Sequence, residues 1–173
     1  MEEKLKTNLI EAIGKDFEIL TEVPGRKIID GKAVRVDFLA FPMPQLTKMG
    51  FPAKWFGIEV KHFADFHTHG RGKKAKLIWQ AINYAQSEFY VKGEAVRPDF
   101  IALYIGEYLN GSEEGKGAYD WHVLMNLARC ANVLEFQIRE LNSWKLIGAG
   151  GTFFSRSKGP RNVKFSKRKS NWT

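Results

Sequence analysis

FGIEVKH, residues 56–62, is the stretch on which the reading of this chain turns. Apolar residues enter what reads as a buried strand, and Glu59 and Lys61 then stand two residues apart. In a strand, residues i and i+2 share a face. The spacing therefore puts an acid and a base side by side on one face of an apolar segment. The preceding apolar run, AVRVDFLAF (33–41), carries Asp37 between Val36 and Phe38. Two neighbouring strands thus each offer a carboxylate from an apolar setting. A carboxylate buried alone is strongly disfavoured or shifts its pKa upward, so a partner is expected. A salt bridge from Glu59 to Lys61 would satisfy those two residues and leave Asp37 unexplained. A divalent cation would satisfy both acids. Two carboxylates with waters suit Mg²⁺, with Mn²⁺ able to substitute, and the carbonyl of Val60 is a third candidate ligand. Lys61 would then stand beside the metal-bound water.

Outward from this stretch, the chain alternates helical and strand patterns. Leu5, Leu9, Ile13 and Phe17 recur at helical spacing, which predicts a helix over 3–20. Pro24-Gly25 and Asp30-Gly31 are turn signals, so VPGRKIIDGK reads as a hairpin. Strands follow at 33–41 and 55–63, with a proline-rich loop at 42–52 between them and a basic loop at 64–74 after them. AKLIWQAINYAQSEFYV predicts a helix over 75–91, RPDFIALYIG a strand over 97–106 and WHVLMNLARCANV a helix over 121–133. Short strands and turns fill 134–154. The expectation is an α/β domain, a central mixed β-sheet flanked by helices, over residues 1–155.

Charge is unevenly distributed. The 173 residues carry 27 Lys and Arg against 19 Asp and Glu, a net charge of +8. No acid follows Glu140, while Lys145, Arg156, Lys158, Arg161, Lys164, Lys167, Arg168 and Lys169 do. The whole excess therefore lies at the C-terminal end, and residues 156–173 read as a basic tail. Such a segment binds polyanions through phosphate contacts and counterion release. It has no apolar face for a lipid surface. No run of about 18 apolar residues predicts a membrane span. A single cysteine, Cys130, reads as a buried structural thiol in a reducing, cytoplasmic setting.

The pattern Asp37-x21-Glu59-x-Lys61 resembles the PD-(D/E)XK nuclease superfamily, which includes restriction endonucleases, Holliday-junction resolvases and phage recombination exonucleases. VRVDF (34–38), IEVKH (58–62) and the following helix carry the resemblance. The proline usual before the first acid is replaced by Val36. The resemblance implies a restriction-endonuclease-like fold, Asp37 and Glu59 as metal ligands and Lys61 as a catalytic residue. On the helix, Lys73, Lys76, Gln80 and Tyr84 form a stripe at spacings of three and four. Gln80 and Tyr84 resemble a Gln–Tyr pair of several nuclease branches, with Gln80 serving the water and Tyr84 the DNA backbone. Members of this superfamily often add a Glu from the first helix, and both Glu3 and Glu11 are candidates here. A homodimer is also implied.

The expected activity is Mg²⁺-dependent hydrolysis of DNA phosphodiesters, structure-selective or weakly sequence-selective, as in branched-DNA resolution or end processing. The alternative is a non-catalytic nucleic-acid-binding protein, or a nuclease subunit that keeps the fold. DNA is the expected partner. Arg71, Lys73, Lys74, Lys76, Tyr84, Lys158, Arg161, Lys164, Lys167, Arg168 and Lys169 would hold it. His62, His67 and His69 have no second ligand cluster for structural zinc. The glycines of KLIGAGGTFF lack a phosphate-loop frame and predict a bulge or tight turn.

Overall fold

The structure is a computed structural model that describes residues 1–62, 71–106, 116–140, 143–148 and 151–160. Among the described residues, four helices, α1 (Glu2–Ile13), α2 (Pro44–Lys48), α3 (Arg71–Ala85) and α4 (Lys116–Arg129), lie against one mixed sheet. The strands are β1 (Phe17–Lys27), β2 (Ala33–Pro42), β3 (Phe56–Val60), β4 (Ser87–Val91), β5 (Glu94–Val96), β6 (Ile101–Tyr104), β7 (Val133–Glu140), β8 (Ser143–Gly148), β9 (Gly151–Ser155) and β10 (Gly159–Pro160). Their spatial order is β10-β9-β8-β7-β6-β3-β2-β1-β4-β5. β3, β6 and β7 run parallel, and the other pairings are antiparallel. The α/β architecture expected from the sequence is present. No helix among the described residues is long and apolar enough to cross a membrane.

Each face of the sheet buries its own core. On one face, α1 contributes Leu9, Ala12 and Ile13 to an aromatic cluster of Phe17, Phe51, Phe56, Phe100, Trp144 and Phe154. Phe56 stacks on Phe100 with centroids 4.7 Å apart, and Phe51 meets Phe154 edge-on at 4.9 Å. Such pairs add about 0.5–1.5 kcal/mol each beyond the area they bury. On the other face, α3 and α4 pack Leu77, Ala81, Tyr84, Trp121 and Met125 against Val36, Leu39, Ile101 and Val133. β3 is buried throughout. Phe56, Ile58 and Val60 face the aromatic cluster, which leaves Gly57 and Glu59 for the α3 face.

The first helix is shorter than its periodicity predicts. It stops at Ile13, where Gly14 donates its N–H to the Ile10 carbonyl at 2.8 Å. A Cβ on Gly14 would lie 2.8 Å from that oxygen. Phe17 keeps its place in the core from a strand instead of a helix turn. The hairpin signals also divide. Gly31, at φ 67°, forms the turn, whereas Pro24 and Gly25 lie inside β1. Proline is tolerated at position 24 because β4 pairs only with Gly25–Lys27, so β1 has one partner there. A Cβ on Gly25 would run into the Glu88 carbonyl, so the close pairing of β4 with β1 at this point requires glycine.

The helix predicted over 75–91 ends at Ala85. SEFYV leaves it as β4, and the Ser87 hydroxyl donates to the Asn83 carbonyl at 2.7 Å. Lys92 and Gly93, at φ 51° and 88°, then turn the chain into β5. Cys130 is exposed, not buried, because it falls just past the end of α4. The segment read as a tail from 156 still belongs to the sheet up to 160, since Gly159 and Pro160 pair with β9.

Candidate functional site

β1, β2 and β3 form a meander whose register sets three acids across it. Thr21↔Phe38 and Val23↔Val36 bracket Glu22 opposite Asp37. Phe38↔Ile58 is the pair next to Asp37 and Glu59. The pleat is interrupted here: Phe38 packs into the aromatic core, whereas Val36, two residues away, packs into the other. Glu22 takes φ 50°, an uncommon conformation for a residue other than glycine. Both strands thus reverse their facing at the acidic row.

Asp37 is held at both oxygens. Its Oδ2 accepts the Val60 N–H at 2.8 Å, and its Oδ1 lies 2.7 Å from the Lys6 ammonium. Lys6 also donates to Glu22 Oε1 at 2.9 Å, and the Arg35 guanidinium meets Glu22 Oε2 at 2.9 Å. Burial opposes the charge on Lys6, but its bonds to Asp37 and Glu22 outweigh that and hold its pKa above the ordinary ammonium range.

Glu59 is 6% exposed. Burial, with the charge of Asp37 beside it, pushes its carboxyl up to about 8. Gln80, reaching down from α3, donates to Glu59 Oε1 at 2.7 Å and to the Tyr84 hydroxyl at 2.7 Å. Burial and Glu59 push Tyr84 up to about 12, so its hydroxyl stays neutral. Lys61 lies one residue beyond β3 and 43% exposed, with its ammonium 2.9 Å from Glu2 Oε2. Burial disfavours the charge on Glu2, but its bond to Lys61 and the His62 N–H hold it below the ordinary range. Among the described residues, Lys61 pairs with Glu2 and not with Glu59.

The expected residues therefore meet, with changes. Asp37, Glu59, Lys61 and Gln80 share one neighbourhood. Tyr84 is 7% exposed and holds Gln80, so it does not stand open to a DNA backbone. Lys74 is 3% exposed, unlike the exposed Lys73 and Lys76, and leaves the open basic surface. Arg71 opens α3. Arg161, Lys164, Lys167, Arg168 and Lys169 lie outside the described residues, as do His67 and His69. Lys158 is exposed in the turn before β10. Arg156 is held inside: its Nε donates to both oxygens of buried Asp16, at 2.8 and 2.9 Å.

Of the first helix, Glu2 meets Lys61, and Glu3 reaches the site only through Lys6, at 3.7 Å. Glu2, Lys6, Glu22 and Arg35 were not expected. For Glu2 and Lys6 the signal is a stripe in α1: they precede Leu9 and Ile13 at helical spacing, so charges occupy positions in line with the core face.

Among the described residues, no three His, Cys, Asp or Glu side chains form a ready-made metal cage. The donor set nevertheless fits a hard cation that keeps most of its waters. Asp37 and Glu59 repel one another, and the repulsion helps keep Glu59 protonated. For an ion to bind, the Oδ1 of Asp37 would exchange Lys6 for it and Glu59 would release its proton. Compared with protein-family models, with curated proteins and with solved structures, the chain gives no match.

Proposed function

We propose that this chain is a Mg²⁺-dependent deoxyribonuclease of the PD-(D/E)XK type, hydrolysing DNA phosphodiesters with selectivity for structure more than for sequence. The observation that carries this reading is the approach of Asp37 and Glu59 from adjacent strands, with Lys61 and Gln80 beside them. The sheet with helices on both faces is consistent with a restriction-endonuclease-like fold. A second copy of the chain as partner follows from the resemblance.

In this reading Asp37 and Glu59 hold the divalent ion through their carboxylate oxygens, with the Val60 carbonyl as the third candidate. When bound, such an ion polarises the phosphate and lowers the pKa of water. Water oxygen adds to phosphorus, the bond to one sugar oxygen breaks, and that oxygen leaves with a proton. Lys61, anchored by Glu2, orients the water and offsets charge developing on the phosphate. Gln80 fixes the Glu59 oxygen, and Tyr84 fixes Gln80. Lys73 and Lys76, exposed on the same helix, meet neighbouring phosphates.

Lys6 favours a second reading. An internal ammonium already neutralises Asp37, as it would in a nucleic-acid-binding scaffold that keeps the fold without the chemistry. Cleavage of supercoiled plasmid and of a four-way junction, in Mg²⁺ and in EDTA, separates the two. Expected is nicking in Mg²⁺ that Lys61→Ala and Asp37→Asn abolish while DNA binding persists. Binding without cleavage on every substrate would favour the scaffold. Cleavage that survives both substitutions would place the chemistry elsewhere.

A further inference from the structure

A cleft of about 260 Å³ opens where β8 and β9 meet the turn at 155–159. Ser143, Lys145, Thr152, Ser155, Ser157 and Lys158 line it, together with Trp144. We infer that this cleft is a phosphate-binding site for the backbone of the same DNA whose scissile bond lies at Asp37 and Glu59. The inference rests on the nuclease reading and extends it to a second point of contact.

The geometry of the sheet joins the two places. One row of partners runs Glu59↔Leu103↔Glu135↔Ile147↔Thr152, from β3 across β6, β7 and β8 to β9. Four strand steps at about 4.8 Å give roughly 19 Å from Glu59 to the cleft. Lys145 pairs with Gln137, two residues further along β7 than Glu135, and so lies toward the same end of the sheet as Lys61. The faces agree as well. Trp144 and Leu146 enter the aromatic core, which turns Ser143 and Lys145 to the opposite face, the one on which Gln80 meets Glu59. A duplex crossing this end of the sheet would meet both. At about 3.4 Å per base pair, the separation is roughly five to six base pairs.

The cleft is also built, not incidental. Lys145 and Ser155 are direct cross-strand partners. The hydroxyls of Ser155 and Ser157 lie 3.1 Å apart. The turn carrying Ser155, Ser157 and Lys158 is pinned through Arg156, whose Nε binds Asp16 and whose N–H donates to the Trp144 carbonyl at 3.0 Å. Asp16 in turn accepts the Trp144 indole N–H at 2.8 Å. Ammonium and hydroxyl donors on a fixed turn suit phosphate oxygens. The ring of Trp144 is buried and gives no stacking platform, so the site reads backbone and not bases. A polyanion is favoured over a small anion because the chain continues directly into Arg161, Lys164, Lys167, Arg168 and Lys169 without an acid.

The experiment is binding of a 30-base-pair duplex by fluorescence anisotropy in EDTA over a salt series, so that cleavage plays no part. Lys145→Ala/Lys158→Ala should weaken binding about tenfold near 0.1 M salt and lower the salt slope by about 1 to 2. Lys32→Ala/Lys92→Ala removes the same charge at distant hairpins and should change the slope far less. Ser157→Asp, at an exposed position, should weaken binding without touching either lysine, which keeps the inference open to test if the double variant melts early. Equal slopes in the two double variants would overturn the inference while the nuclease reading stands. A melting shift with inorganic phosphate that the cleft variant loses, beside an unchanged DNA slope, would mean a small-anion site and would also overturn it. No DNA binding by the wild type would instead overturn the nuclease reading beneath it.

Discussion

The Lys6 ammonium lies 2.7 Å from Asp37 Oδ1, on the oxygen left open when the Val60 N–H takes Oδ2. An internal cation therefore occupies the side of Asp37 that a divalent ion would need. Lys6 has somewhere to go, because Glu22 lies 2.9 Å away and Glu3 3.7 Å away. Glu22 in turn is steadied by Arg35. The arrangement reads as a charge that can be handed from Asp37 to Glu22 as an ion arrives.

Lys6→Met separates competition from support. Removing the competitor should raise Mn²⁺ affinity, measured by calorimetry at pH 7.5, by about tenfold, which is about 1.4 kcal/mol. The same substitution should destabilise the metal-free protein by about 2–4 kcal/mol in urea titration, because Asp37 and Glu22 lose their shared partner. Weaker Mn²⁺ binding by the variant would mean that Lys6 orients Asp37 for the ion and does not compete with it.

Tyr84→Phe removes one acceptor of Gln80 and leaves the packing. We expect a loss of about 0.5–1.5 kcal/mol in stability. Gln80→Ala should lower kcat about 10- to 100-fold with DNA affinity in EDTA unchanged, since Gln80 acts by holding Glu59. A fall in DNA affinity equal to the fall in kcat would make Gln80 a DNA contact instead.

Much of this site was legible because residue type and strand period coincide. Asp37, Glu59 and Lys61 are charges in apolar runs, and an amphipathic helix follows with Gln80 on its polar edge. What stayed hidden depends on tertiary contact. Glu2 and Lys6 look like the solvated end of a helix until α1 is laid against β3. Tyr84 belongs to the polar stripe by spacing, yet it is large enough to bury its ring among Phe89 and the α3 core while keeping its hydroxyl on Gln80. β4 escaped because SEFYV continues a helical apolar pattern without a proline or glycine to mark the break. Asp16 escaped because the period of Leu5, Leu9, Ile13 and Phe17 runs through it.

Asp16 gives the basic end of the chain two different parts. It is 3% exposed and accepts both Trp144 and Arg156. Asp16→Ala should destabilise by about 3 kcal/mol, leaving the Trp144 N–H and part of the Arg156 charge without a partner. Deleting 156–173 should therefore lower the melting temperature sharply. Deleting 161–173 should leave it nearly unchanged while flattening the salt dependence of DNA binding through the loss of five positive charges. Equal melting temperatures for the two truncations would mean that the Asp16–Arg156 contact contributes nothing.

Glu59 sets a pH dependence whose sign is opposite to that of an ordinary paired carboxylate. Its pKa rises from an ordinary 4.5 to about 8 in the folded chain, because burial and Asp37 disfavour its charge. Between these values the folded state holds a proton that the unfolded state has released. Stability is then fully present below about pH 4.5 and is lost as pH rises through about 8, at up to about 1.4 kcal/mol per unit. Glu59→Gln carries no such proton. In EDTA the variant should match the wild type near pH 4.5 and exceed it by a few kcal/mol at pH 9, in paired urea titrations where the other acids cancel. Divalent-ion binding needs the ionised carboxylate, so Mn²⁺ affinity of the wild type should climb across the same window. Adding Mg²⁺ at pH 9 should restore the wild type and leave Glu59→Gln unmoved. A difference between the two proteins that stays flat from pH 4.5 to 9 would mean that Glu59 is ionised throughout, held by Lys61 and Gln80 more strongly than burial and Asp37 oppose it.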